Sequence, residues 1–236
     1  MTKIFVINLE RNKERRETIE KQFKSYNITN YEFIKGIDGN TLTNDLISLN
    51  VKTRKNIDKK YKNHFSNKEI ACLKSHALAI SKAIKDKLDS VIILEDDIVI
   101  CEDWNSRLDK LIKITPKKWN HIYLSGFPAG YDLIENQDQF NPLAFAPFLH
   151  VEKSKTTMGA FSYMLKKEVF NIVKKEYLSF TTPTDNIIDK LIKSGELISY
   201  SFFPYLTYHD NDIISEIWGS EYLVDHESKR YFINKL

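Results

Sequence analysis

The sequence predicts an α/β domain built on a parallel, Rossmann-like sheet. Strand-like apolar segments alternate with amphipathic helix-like segments through the first half of the chain, which is the rhythm of consecutive βαβ units. The run Val91–Leu94 is continuously aliphatic, as expected for a strand buried on both faces of a parallel sheet. No repeat, low-complexity segment or linker interrupts the chain, so residues 1–236 are predicted to form a single domain.

The elements of the first half follow from local patterns. The sequence Ser66-Asn67-Lys68-Glu69 forms a capping box, which predicts the start of a long helix with apolar residues at helical spacing. Asp38-Gly39 predicts a turn after the second strand. The predicted elements are a strand at 3–9, a helix at 12–26, a strand at 31–37, a helix at 67–88, the strand beginning at 91, a helix ending before Pro116, and a strand at 121–125.

The second half is less regular. Residues 127–157 are rich in proline and aromatic residues and lack periodicity, which predicts a long functional loop or hairpin. A strand is predicted at 159–165 and is followed by two helices, the second ending at Gly195.

Composition limits the functional classes. The chain of 236 residues is 42% hydrophobic and 28% charged, as in ordinary globular proteins. Its net charge of +3 is too small to indicate a nucleic-acid binder. Cys72 and Cys101 have no CxxC spacing, so both are expected to be reduced and buried. The first apolar segment is too short for a signal sequence, and no apolar stretch approaches the ~20 residues of a membrane span. We therefore expect a cytoplasmic protein.

Three acidic residues interrupt the apolar sequence after Val91–Leu94. Glu95, Asp96 and Asp97 precede a second apolar segment at Ile98–Ile100. A buried unpaired carboxylate tends to become protonated, and adjacent carboxylates repel one another. A divalent cation is the simplest explanation, because carboxylate oxygens suit Mg²⁺ and Mn²⁺. The alternative is a strand that ends in a solvated acidic loop.

A basic cluster follows the first predicted strand. Arg11, Arg15 and Arg16 are half of the arginines of the chain and fall within six positions. Cations in the first turn of a helix oppose its dipole, whereas an anionic ligand such as a phosphate would make them favourable. Neighbouring glutamates support the alternative of a solvated helix face. The acidic cluster lies at the end of another predicted strand. Together, the arginines and the acids predict the two halves of a nucleotide-diphosphate site.

Other functional motifs are absent or weak. The chain has no GxGxxG, P-loop, GxSxG or HExxH sequence. Cys72 and His76 lie one helical turn apart without further ligands at zinc spacing, so a packed helix histidine is the preferred interpretation. The basic stretch at 51–68 fits a solvated loop better than a nucleic-acid or membrane contact.

Several segments in a fixed order resemble glycosyltransferase family 25, the bacterial lipooligosaccharide galactosyltransferases and their relatives. The resemblance extends from residue 4 to about residue 217. The segments are Val6-Ile7-Asn8-Leu9 with Arg15-Arg16, Glu69-Ile70-Ala71-Cys72-Leu73-Lys74-Ser75-His76, Leu94-Glu95-Asp96-Asp97, Gly159-Ala160-Phe161-Ser162-Tyr163, and Asp185 at a helix start. The sequence departs from the family pattern at Ala71 and Ser162, where glycine is common, and at His209, where glutamine is expected.

The resemblance implies a GT-A-type, Rossmann-like mixed sheet flanked by helices. It further implies transfer of a sugar, usually galactose, from a UDP-sugar to a saccharide or glycolipid acceptor with inversion at the anomeric carbon. Residues 1–126 would form the nucleotide-sugar half and residues 127–236 the acceptor half. Surface-glycan synthesis adds the expectation of peripheral contact with the inner membrane surface.

The resemblance also implies roles for individual residues. The metal-binding residues would be Asp97, Asp96 and His209, which would hold a Mn²⁺ or Mg²⁺ ion. Asp185 would be the general base that deprotonates the acceptor; its alternative role is a helix N-cap, where the helix dipole would keep its pKa low. The donor-binding residues would be Asn8, Leu9, Arg11, Arg15, His76, Glu95 and Asp96.

Two other classes remain open at this point. A metal-dependent phosphohydrolase would also pair acids with arginines, although no nucleophile or second acidic cluster is evident in the sequence. A binding or scaffold domain could keep the fold and the nucleotide site without catalysis.

Overall fold

A mixed β-sheet forms the centre of the structure. The structure is a computed structural model, and it describes residues 2–42, 66–125, 127–128, 150–154, 157–210 and 217. Within those residues the sheet has seven strands in the order β2-β1-β3-β9-β5-β10-β7. The strands are β1 (Lys3–Asn8), β2 (Tyr31–Lys35), β3 (Ser90–Glu95), β4 (Ile98–Ile100), β5 (His121–Tyr123), β6 (Phe127–Pro128), β7 (His150–Lys153), β8 (Thr157–Met158), β9 (Ser162–Lys166), β10 (Ser199–Phe203) and β11 (Thr207–His209).

Five helices accompany the described strands. They are α1 (Lys13–Ser25), α2 (Asn67–Lys85), α3 (Trp104–Ile114), α4 (Lys167–Tyr177) and α5 (Thr184–Lys193), and a short 3-10 turn spans Gly39–Thr41. The predicted capping box of α2 is confirmed: Ser66 accepts from the Glu69 backbone N–H, and the Glu69 carboxylate accepts from the Ser66 N–H.

Helices cover both faces of the sheet. Alternate residues of β3 point to opposite sides: Val91 and Ile93 pack with α2, α4 and α5, whereas Ile92 and Leu94 pack with α1 and α3. All four side chains are fully buried, which confirms the prediction of a doubly covered strand. The predicted fold class, a Rossmann-like mixed sheet flanked by helices, is confirmed.

Strand order differs from a simple βαβ succession beyond β3. Strands β2, β1 and β3 are parallel, as predicted. Strand β9 then lies antiparallel between β3 and β5, although it comes about 40 residues later in the chain than β5. The apolar residues after the acidic triplet form the separate strand β4, which pairs with β11 outside the main sheet. Because β9 is antiparallel to both β3 and β5, strand β5 runs in the same direction as β1, β2 and β3. The parallel direction predicted for the first-half strands is therefore confirmed, whereas the insertion of β9 among them was not predicted.

Other element boundaries also differ from the predictions. The strand predicted at 159–165 begins at Ser162, because Gly159 has a positive φ of 102° and starts a turn. Of the long loop predicted at 127–157, the described parts include three short strands, β6, β7 and β8. Most of that loop and nearly all of the basic stretch at 51–68 lie outside the described residues. Cys72 and Cys101 are free, but each is partly exposed, so the prediction that both are buried was wrong.

Candidate active site

The carboxyl ends of β1 and β3 place the predicted site at one edge of the sheet. These strands are parallel neighbours, with Ile7 opposite Glu95. Asn8 ends β1, and Asp96 and Asp97 form the connection between β3 and β4. Pairing of β11 with β4 puts His209 opposite Ile98 and so beside the acids. An open α/β sheet binds ligands at such strand ends.

Asp96 is a buried carboxylate that contacts one amide side chain and one guanidinium group. Asn8 donates to Oδ2 over 2.6 Å, and an Arg15 guanidinium nitrogen, Nη1, lies 3.1 Å from Oδ1. Burial and the neighbouring Asp97 charge raise the pKa of Asp96 to about 6, against the opposing effects of Arg15 and Asn8. Asp96 is therefore committed to contacts within the protein.

Asp97 has one carboxylate oxygen without a hydrogen-bond partner in the part of the chain that the structure describes. Its Oδ2 lies 3.4 Å from His209 Nε2 and 3.9 Å from Arg15 Nη1. Its Oδ1 is buried and has no hydrogen-bond partner among the described residues. Burial acts to raise the pKa of Asp97, but the hydrogen bond and charge of His209 together with Arg15 outweigh it, so the pKa lies below its ordinary value.

The residues around Asp97 fit a divalent cation. A buried, ionised oxygen without a partner is a costly feature that a metal ligand role would explain. His209 adds an imidazole 3.4 Å from the same carboxylate. Because Mg²⁺ prefers oxygen ligands and imidazole suits transition metals, this donor set favours Mn²⁺ over Mg²⁺. Asp96 fits the set less well, because both of its oxygens already accept bonds from Asn8 and Arg15.

A second polar group surrounds Glu95. His76 Nε2 lies 3.0 Å from Glu95 Oε1, and His76 Nδ1 lies 2.9 Å from the Tyr163 hydroxyl. Tyr177 donates in turn to Tyr163 over 3.3 Å. Burial raises the pKa values of both tyrosines well above their ordinary range, so both stay protonated. Helix α2 carries His76 into this position one turn after Cys72.

Members of both polar groups line one pocket, together with residues that the sequence did not single out. Arg11 donates to Asp38 Oδ2 over 2.6 Å, and both residues line the pocket. Gly39 packs so closely on the start of α2 that an added Cβ would lie 2.5 Å from the Lys68 Cα. The predicted turn at Asp38-Gly39 was the sequence signal that could have identified these two pocket residues. A turn that follows the carboxyl end of a parallel strand lies next to the ligand site of an open α/β sheet. The pocket is lined by Ile7, Leu9, Arg11, Asn12, Arg15, Ile37, Asp38, Gly39, Lys68, Ala71, Cys72, Ser75, His76, Glu95, Asp96, Asp97 and Ile217.

Asp185 lies beside this pocket at the start of α5. Its Oδ1 accepts the Ala160 backbone N–H over 2.7 Å and so holds the turn that precedes β9. Helix α5 begins at Thr184 with Pro183 as the N-cap, so the alternative N-cap role of Asp185 was wrong. Burial raises the pKa of Asp185, with Glu95 adding to the rise against the Ala160 hydrogen bond. The expectation that the helix dipole keeps this pKa low was therefore also wrong.

The structure brings most of the predicted site residues together. One contact network consists of Asn8, Arg15, Asp96, Asp97 and His209. His76 and Glu95 form the second, and Leu9 and Arg11 line the same pocket. Asp185 is not among the described residues that line it, although Thr184 next to it lies 3.4 Å from Cys72.

Comparison with known proteins identifies the family of this chain. The model of glycosyltransferase family 25 (LPS biosynthesis protein) matches residues 1–188. The chain belongs to glycosyltransferase family 25.

The similar proteins are longer than this chain. A glycosyltransferase of Acanthamoeba polyphaga mimivirus is 30% identical over 165 residues, which cover 69% of this chain and 49% of the viral protein. Procollagen galactosyltransferase 2 of Mus musculus is 25% identical over 185 residues, which cover 71% of this chain and 29% of the mouse protein. The chain thus spans about half or less of the length of these relatives.

Similarity to solved structures is weak. The crystal structure of a glycosyltransferase involved in the glycosylation of the major capsid of PBCV-1 aligns with a TM-score of 0.41 and 8% identity, covering 75% of this chain and 65% of that chain. Among the described residues, no helix combines the length and apolar character needed to cross a membrane.

Proposed function

We propose that the protein is an inverting, metal-dependent glycosyltransferase that uses a UDP-sugar, with galactose as the transferred sugar. Family membership supports the transferase class, and the name of the mouse relative supports galactose. The acceptor would be a saccharide or glycolipid, in keeping with the family description as an LPS biosynthesis protein. Nucleic acid is not part of the proposal.

The observation that carries the proposal is the unpartnered Oδ1 of Asp97 beside His209, opposite Arg15. Asp97 and His209 would hold Mn²⁺, with Mg²⁺ as the weaker alternative. When bound, the cation would supply positive charge that stabilises the departing nucleoside diphosphate. Asp96 would orient Arg15 through its 3.1 Å contact.

The basic side chains of the pocket would bind the donor. Arg15 and Arg11 have planar guanidinium groups that suit diphosphate oxygens. Lys68 lies in the first turn of α2, where its charge and the helix N-terminus both favour an anion. Glu95, oriented by His76, would accept hydrogen bonds from the donor ribose, and Asn8 and Leu9 would contact the nucleotide.

Asp185 would act as the general base. Inversion by direct displacement needs a base that removes the proton of the acceptor hydroxyl as it attacks the anomeric carbon. Burial raises the pKa of Asp185, which makes it a stronger base than an exposed aspartate. One of its oxygens is engaged by Ala160, which would fix the direction of the other.

The deciding experiment measures UDP release from a panel of UDP-sugars with Mn²⁺, with and without oligosaccharide acceptors. A transferase requires the acceptor for its full rate. A phosphohydrolase that cleaves the diphosphate bond releases UMP and a sugar phosphate in place of UDP, at the same rate with or without acceptor. A non-catalytic domain binds UDP without releasing product from UDP-sugars. NMR of the product would test inversion, since an α-linked product contradicts it.

A further inference from the structure

A cysteine, a histidine and a glutamate converge in the pocket wall next to the proposed Mn²⁺ site. The Cys72 Sγ, a His76 ring nitrogen and a Glu95 carboxylate oxygen all lie within 4.8 Å of one another. The Cys72 Sγ is 4.0 Å and the His76 Nε2 is 3.0 Å from the same oxygen, Glu95 Oε1. The proposed transferase reaction uses only the carboxylate of this group directly, which leaves the thiol without a role.

We propose that Cys72, His76 and Glu95 form a Zn²⁺ site distinct from the Asp97–His209 site. Thiolate, imidazole and carboxylate are the three ligand types that Zn²⁺ takes in proteins. A tetrahedral Zn²⁺ ion spaces such donor atoms about 3.4–3.6 Å apart, so the two distances to Glu95 need to change by only about half an ångström. All three residues line the open pocket, so the fourth position is accessible to water or another small ligand.

The surroundings of His76 are those of a metal-binding histidine. Ligating histidines usually bond a fixed group through the second ring nitrogen, which sets the ring orientation. Here His76 Nδ1 lies 2.9 Å from the Tyr163 hydroxyl, which Tyr177 holds in place. The hydroxyl can accept a hydrogen bond from Nδ1–H. The lone pair of Nε2 can then bind the ion in place of the present contact with Glu95. The imidazole itself is almost completely buried and therefore rigidly placed.

The charge balance also favours a dication. A thiolate and a carboxylate together neutralise Zn²⁺, with the Cys72 proton released to solvent on binding. Burial raises the pKa of the Cys72 thiol, and the carboxylates of Glu95, Asp185 and Asp97 raise it further. The same negative potential that disfavours a free thiolate attracts a cation, so metal binding offsets the cost of deprotonation.

Cobalt substitution tests this proposal without any donor or activity measurement. Metal-free protein of all 236 residues, kept reduced with a phosphine, is titrated with Co²⁺, and the thiolate-to-cobalt charge-transfer band is recorded. We expect one equivalent of Co²⁺ to produce the band and Zn²⁺ to abolish it by displacement. Cys72→Ser and Cys72→Ala should both lack the band while retaining the wild-type circular dichroism.

Two variants separate this site from the alternatives. Cys101→Ser is the matched control, because Cys101 is the other partly exposed cysteine and does not line the pocket. Asp97→Asn weakens the proposed Mn²⁺ site but leaves Cys72, His76 and Glu95 unchanged. The Asp97→Asn protein and the Cys101→Ser protein should each retain the charge-transfer band. The proposal is overturned if wild-type protein gives no band, if the band survives in both Cys72 variants, or if Cys101→Ser removes it. None of these outcomes depends on whether the protein transfers a sugar.

Discussion

Arg15 is the residue on which the two acids of the site converge. Its guanidinium lies 3.1 Å from Asp96 and 3.9 Å from Asp97, and only 14% of its side chain is exposed. A nearby anion favours an arginine in the first turn of a helix, and Asp96 and Asp97 supply two carboxylates within the protein. The helix dipole alone therefore does not require a ligand beside Arg15. A donor role for Arg15 is supported by its position in the pocket.

We expect Arg15→Ala to weaken UDP binding by about 1–3 kcal/mol, the range of a charge-assisted hydrogen bond. Arg11→Ala should act in the same direction, since Arg11 lines the same pocket. Arg16→Ala is the matched control: Arg16 pairs with Glu20 and lies over the Phe33 ring, away from the acids. Calorimetric titration with UDP and Mn²⁺ measures all three. Unchanged affinity in both Arg11→Ala and Arg15→Ala would remove the arginines from the donor site.

Asp97→Asn should abolish the response of the enzyme to Mn²⁺ and lower the rate of transfer by about 100-fold or more, because a metal ligand contributes several kcal/mol. The substitution keeps the shape of the side chain, so folding should be preserved. The measurement is the rate of UDP release as a function of Mn²⁺ concentration. Asp109→Asn is the control variant, because Asp109 is exposed. Full wild-type activity in excess EDTA would contradict metal dependence.

Asp185 can be tested as a base separately from its contact with Ala160. We expect Asp185→Asn to reduce the rate by about 100-fold or more with little change in UDP affinity. The asparagine oxygen can still accept the Ala160 N–H, whereas Asp185→Ala loses that bond and should also destabilise the protein by about 1–2 kcal/mol. Normal turnover by Asp185→Asn would restrict the residue to holding the turn before β9.

The raised pKa of Asp185 adds a pH test. The folded-state pKa lies above the unfolded value, so ionisation of Asp185 destabilises the fold, and its contribution to stability falls as pH rises between those two values. At neutral pH, Asp185→Asn should therefore melt at the same temperature as the wild type or higher. The acid limb of the kcat/KM profile should also lie above the ordinary aspartate range of about pH 4. An acid limb at or below that range would contradict the raised pKa.

At the scale of elements, local signals predicted the helix that builds the pocket wall. The Ser66–Glu69 capping box fixed the start of α2, and helical spacing then placed Cys72 and His76 one turn apart. Local patterns could not predict what those residues contact. Tyr163 and Glu95 reach His76 from different strands, and the direction of the Asp185 pKa depends on burial by the whole fold.

Ser66→Ala should lower the free energy of unfolding by about 1 kcal/mol, since it removes the side-chain acceptor of the capping box. Ser106→Ala is the control, because Ser106 is exposed on α3. Urea unfolding followed by circular dichroism measures both variants. Equal stability of Ser66→Ala and the wild type would show that the capping box contributes little to the start of α2.

At the scale of the whole molecule, sheet order was the feature that the sequence could not provide. Three parallel strands followed from apolar runs and helical spacers, whereas the insertion of β9 between β3 and β5 joins segments far apart in the chain. That insertion matters for the site, because Glu95 N donates to the Phe161 carbonyl and Tyr163 thereby lies against His76. Likewise, β11 returns to β4 and brings His209 to Asp97.

These long-range pairings predict that the donor and the metal stabilise the fold together. Asp97 lies in the connection between β3 and β4, and His209 lies in β11. Arg15 joins them to α1, so a filled site should link all three elements. At 100 times its dissociation constant, a ligand that binds only the folded state adds about 2.7 kcal/mol. We expect UDP with Mn²⁺ to raise Tm by more than the sum of their separate shifts, because each improves the site for the other. Thermal unfolding under the four ligand conditions measures this coupling in wild type and Asp97→Asn. The excess should vanish in the variant, and strictly additive shifts in wild-type protein would contradict a shared site.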